Sequence, residues 1–97
     1  MIKHVLIDVI NWNSDVYRRV ESALSECVLM YMSSGDEHDQ ISLYKCRQVF
    51  ITIYKTRGGG LIDILGNNEE VVYRVLSVLP REKILIRFIE RGYDTSV

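Results

Sequence analysis

Apolar residues in this chain come in short runs whose period changes from one run to the next. HVLIDVI, residues 4 to 10, is apolar and β-branched and predicts a strand. NWNSD breaks the run. Asn13 is placed to cap a helix, with Trp12 before the cap and Tyr17 at the fourth helical position, the spacing of a hydrophobic staple. Val16, Val20, Ala23, Leu24, Cys27, Val28 and Tyr31 then recur at three and four residues, which predicts one long helix from about Ser14 to about Met32. The polar segment SSGDEHDQ, residues 33 to 40, ends it.

Val49 to Lys55 predict a strand by their β-branched and aromatic content. Ile41 to Gln48 alternate well enough to extend that strand, with room for a bulge near Cys46 to Gln48. TRGGG then leads into LIDILG, so a glycine-containing turn joins two strands into a hairpin. Asn67 is placed to cap a second helix, with Glu70 three residues on as in a capping box. Its apolar stripe is Val71, Val72, Val75, Val78 and Leu79, and Pro80 stops it. KILIRFIE, residues 83 to 90, predicts a last strand, and residues 91–97 form a polar tail.

The resulting order is strand, helix, strand, strand, helix, strand. With right-handed crossovers it predicts an α+β fold, a ferredoxin-like βαββαβ sandwich whose four-stranded antiparallel sheet carries both helices on one face. Such a fold hosts many unrelated functions and names none. Strand parity is more informative. Val5, Ile7, Val9, Val49, Ile51, Ile53, Ile62, Ile64, Ile84, Ile86 and Phe88 form the set facing the helices. The opposite face carries His4, Leu6, Asp8 and Ile10, then Phe50, Thr52 and Tyr54, then Leu61, Asp63 and Leu65, and finally Leu85, Arg87 and Ile89. A solvated face should be polar, and this one is largely apolar, so it predicts a contact surface. We expect a homodimer packed sheet against sheet through Leu6, Asp8, Ile10, Phe50, Tyr54, Leu61, Asp63, Leu65, Leu85, Arg87 and Ile89.

Composition narrows the classes. At 97 residues the chain reads as one domain spanning 1–97. Twelve basic and 13 acidic residues leave a net charge of −1, so no overall positive field draws in nucleic acid. MIKHVLIDVI does not read as a signal peptide, and no apolar run has membrane-spanning length, so a membrane partner is not expected. Cys27 and Cys46 allow one disulfide, but with nothing suggesting secretion the stronger expectation is two reduced, partly buried thiols in a cytoplasmic protein. No cofactor or nucleophile motif is present, and an enzyme has no positive support.

Three constellations carry candidate chemistry. Asp8 and Asp63 sit on neighbouring strands, where two carboxylates would suit a metal-dependent nuclease; an ion pair with Arg87 explains them as well and more simply. GDEHD, residues 35 to 39, gathers acids around His38, but its spacing matches no calcium or zinc motif. Lys55, Arg57, Gly58 and Gly59 resemble a phosphate-holding turn, and Lys45 and Arg47 on the same strand would lengthen it into a basic finger for nucleic acid. TRGGG opens a strand and not a helix, however, so a hairpin accounts for the glycines. The sequence thus favours a homodimeric interaction module over a nucleic-acid-binding protein or a nuclease.

Overall fold

The computed structural model describes residues 2–10, 12–33, 39–56, 59–81 and 84–91. The elements in chain order are β1 (Ile2–Val9), α1 (Ser14–Ala23), β2 (Val28–Met32), β3 (Gln40–Cys46), β4 (Val49–Thr56), β5 (Gly59–Gly66), α2 (Glu69–Ser77) and β6 (Ile84–Arg91). The six strands form one sheet in the order β2-β3-β4-β5-β1-β6, and every neighbouring pair is antiparallel. The fold is α+β, but the four-stranded ferredoxin-like sandwich is overturned by this six-stranded sheet.

Two local readings produced the wrong topology. The helix expected to run to Met32 stops at Ala23, and Val28–Met32 is a strand. Five consecutive apolar residues satisfy either period, so periodicity could not separate the two. The other error lies between Ile41 and Lys55, where one bulged strand was expected. The chain instead turns at Arg47–Gln48 and pairs β3 with β4. Gln48 takes the left-handed conformation, φ 58°, without being a glycine.

Both helices lie on one face of the sheet. Val16, Val20 and Leu24 from the α1 segment and Val71, Val75 and Leu79 from the α2 segment pack into one core with the sheet. The sheet contributes two registered rows, Val5–Ile64–Ile51–Tyr44 and Ile7–Ile62–Ile53–Ser42. All eight are buried. Each buried isoleucine contributes about 1.5–3 kcal/mol over its exposed state. The core set expected for β1, β4 and β5 is therefore the one found; the side chains of Ile86 and Phe88 lie outside the described residues.

The caps explain where the helices start. Asn13 Oδ1 accepts the Val16 amide at 2.9 Å, and the Trp12 and Tyr17 rings lie 5.8 Å apart, as the staple spacing predicts. The second helix is capped by Asn68, not Asn67. Asn68 Oδ1 accepts the amides of Glu70 and Val71, while the Asn67 amide donates to the Gln48 carbonyl. The β3–β4 turn thus occupies Asn67 and shifts the cap by one residue. The polar tail beyond Arg91 and residues 35–38 of the acidic loop lie outside the described residues.

Candidate interaction surface

On the side of the sheet away from the helices, strand register lines up three rows. The first runs Val28, Lys45, Phe50, Leu65, His4 and Ile89. The second runs Tyr31, Leu43, Thr52, Asp63, Leu6 and Arg87. The third runs Ile41, Tyr54, Leu61, Asp8 and Leu85. Of the expected contact residues, Leu6, Asp8, Phe50, Tyr54, Leu61, Asp63, Leu65 and Leu85 belong to these rows, and Ile10 follows directly on β1. Arg87 and Ile89 share the register, while their side chains lie outside the described residues. Phe50 is 46% exposed, Leu65 40% and Leu85 57%.

Sequence reasoning missed the part of this surface on β2 and β3. Val28, Tyr31, Ile41 and Leu43 extend the apolar rows by two strands. Alternation at Ile41 and Leu43 was the available signal, but it needed the Arg47–Gln48 turn to be assigned to the correct face.

Polar groups punctuate the face. His4 Nε2 lies 2.7 Å from Asp63 Oδ1, linking β1 to β5. Asp8 stands opposite Leu61 and Asp63 opposite Leu6, so the two aspartates are on adjacent strands and offset by two residues. Asp63 is engaged by His4, not by a second carboxylate. Among the described residues, no three His, Cys, Asp or Glu side chains come together as a metal-binding group.

Lys45 does not line up with Lys55 on one face of the sheet. Cys46 faces Val49 across the two-residue turn, so Lys45 stands opposite Phe50 and joins the open face. Its ammonium lies 6.0 Å from the Phe50 ring centroid. Lys55 has the opposite parity, and its ammonium lies 5.2 Å over the ring of Tyr17 on α1. Arg47 sits at the other end of β4 from Lys55. Arg57 and Gly58 lie outside the described residues. Gly59 and Gly60 have a packing role. A Cβ on Gly59 would stand 2.7 Å from the Val9 carbonyl oxygen, and one on Gly60 would stand 3.1 Å from the Trp12 ring. The approach of Gly59 to the β1 backbone favours glycine there with no appeal to phosphate.

Cys27 and Cys46 form a disulfide, which corrects the expectation of two thiols. The α1–β2 turn brings Cys27 against the end of β3, with the two Cα atoms 4.5 Å apart, inside disulfide range. The bond borders an open cleft of about 470 Å³ that Arg47, Asn68, Glu26 and Arg74 also line. Arg74 donates to Glu26 there at 3.1 Å, so its charge is matched within the cleft. Among the described residues, no helix is long and apolar enough to cross a membrane. No protein-family model matches the chain, and no curated protein matches it.

Proposed function

We propose that this protein is an interaction module that dimerises by packing the open faces of two sheets together. One observation carries the reading: the face away from the helices is largely apolar, and Phe50, Leu65 and Leu85 stand exposed on it. Sheets apolar on both sides are normally covered on both.

Size supports a second copy as the cover. Six strands about 4.8 Å apart, with up to eight residues at about 3.4 Å, give a face of roughly 700 Å². A stable interface takes about 800 Å² from each partner. Two such faces stack about 10 Å apart, with side chains of both inner surfaces interleaved. Dimer formation would remove the apolar rows from water and leave His4–Asp63 as an internally satisfied polar pair. The nucleic-acid alternative rests on the Lys55–Arg57 hairpin; Lys45 lies on the open face and Lys55 over the Tyr17 ring, so Lys45 does not extend that hairpin, and the apolar face favours the interaction reading.

Light scattering on a sizing column tests the proposal. The wild-type chain is expected at twice its 11.3 kDa mass or a multiple of it. Phe50→Lys and Leu65→Lys are each expected to lower that mass while keeping the far-ultraviolet circular dichroism spectrum. A wild-type chain that runs as a monomer at micromolar concentration overturns the face-to-face reading. So does an assembly whose mass neither lysine lowers.

A further inference from the structure

We infer that β2 is a pairing edge for a second copy of this chain, joining two sheets side by side into one. This association is separate from the face-to-face packing proposed above and does not depend on it.

Among the described residues, β2 ends the sheet with β3 as its one strand neighbour, so no described strand pairs with its outer backbone groups. Its sequence is VLMYM, and all five side chains are exposed, from 38% at Met32 to 61% at Val28. A strand that buries none of its side chains gains little from the core. Yet β2 is fastened at both ends. The Cys27–Cys46 disulfide holds its start to β3. At its other end the Ser33 amide donates to the Ile41 carbonyl at 2.9 Å, and the Ile41 amide donates to Ser33 Oγ at 3.0 Å. The chain thus holds in extended form a segment none of whose side chains belongs to the buried core. An uncharged apolar edge in that state is a template for another strand.

The charge pattern selects the occupant. Natural sheets guard their edges with charged residues. The opposite edge follows that rule, since β6 reads ILIRFIER and carries Arg87, Glu90 and Arg91. β2 carries no charge, so a two-fold antiparallel pairing with its own copy sets no like charges opposite one another. Pairing with β6 of a second copy would instead bring three charged residues to the seam. Curvature agrees with this choice. The register shifts between Leu29 and Tyr31, leaving Met30 opposite no residue of β3. Such a bulge bends and twists the strand. A copy of the same strand carries the same bend, whereas a long flat strand does not match it.

The test removes the face first and then the edge. Phe50→Lys disables the open face, and light scattering on this variant is expected to give twice the chain mass. Adding Met30→Lys is expected to return it to the monomer mass, with association weakened at least tenfold. Met30 faces no β3 residue, so the substitution breaks no ladder pair; Leu29→Lys, whose parity is opposite to that of the open face, serves as the second variant. Hydrogen exchange at residues 28–32 should slow with concentration in Phe50→Lys and not in the double variant. A monomeric Phe50→Lys chain overturns the inference, as does a dimer that neither edge lysine dissociates. Met30→Lys alone should retain face-to-face dimers, so failure of one association is distinguishable from failure of the other.

Discussion

His4 on β1 and Asp63 on β5 meet across the open face, with the imidazole Nε2 2.7 Å from the carboxylate Oδ1. The two are offset in register, since His4 faces Leu65 and Asp63 faces Leu6. Both side chains are largely shielded, at 16% and 25% exposure. We expect a double-mutant cycle of His4→Ala and Asp63→Ala, read by denaturant unfolding, to give a coupling of about 1 kcal/mol. A coupling of zero would mean that the pair adds nothing to the β1–β5 contact.

Gly66 is expected to tolerate no side chain. Its φ is +146°, a region L residues rarely adopt, and an added Cβ would press on the Gln48 carbonyl oxygen and stand 2.8 Å from Val49 Cα. Gly66→Ala should cost about 2 kcal/mol or more in unfolding free energy. Thermal unfolding checks this, and a variant within experimental error of wild type contradicts it.

The disulfide closes a segment with a sequence separation of 19. Cys27→Ser with Cys46→Ser should lower stability by about 3 kcal/mol, the effect expected for a loop of this length. Hydrogen exchange should show where the loss falls. Amides of β2 are expected to exchange faster, while those of β4, β5 and β1, held by the core rows, should change little.

Tyr44 supplies a pH test. Burial, with smaller contributions from Tyr17 and Glu21, raises its phenol above the ordinary value of 10.0. The folded chain therefore holds this proton more firmly than the unfolded chain. That contribution is fully present below pH 10.0 and is lost as pH climbs through the folded value. Tyr44→Phe should show a shallower fall in melting temperature above pH 10.0 than wild type, and equal slopes in the two proteins would refute the assignment.

The parts of the fold legible in the sequence were those fixed by nearby residues. Alternation in β1, β4 and β5 identified the buried rows, and Asn13 with the Trp12–Tyr17 staple marked the start of α1. The missed parts depend on distant residues. Nothing local makes VLMYM a strand; its partner β3 and the disulfide decide it. Arg47–Gln48 contains no glycine or proline to announce a turn. It is held from outside, by the Asn67 amide on the Gln48 carbonyl and the Asn68 side-chain amide on the Arg47 carbonyl, with Gly66 lying beneath. The open face was legible by parity alone. Its breadth was not, because the two strands that widen it lie beyond that turn and that disulfide.

The position of β1 between β5 and β6 bears on how quickly the native state is reached. β2 through β5 join neighbour to neighbour, so each can pair once a short loop closes. β1 has no such neighbour: Val5 pairs with Ile64 on one side and Phe88 on the other. Closing those long loops costs entropy before any contact repays it, which places such topologies in the slower range, about milliseconds to seconds. Until β1 arrives, β5 is itself an outer strand, and Ile62 and Ile64 lack their partners Ile7 and Val5. The first strand in the chain therefore joins the sheet late, and the nascent molecule is most prone to stick to its neighbours during that interval.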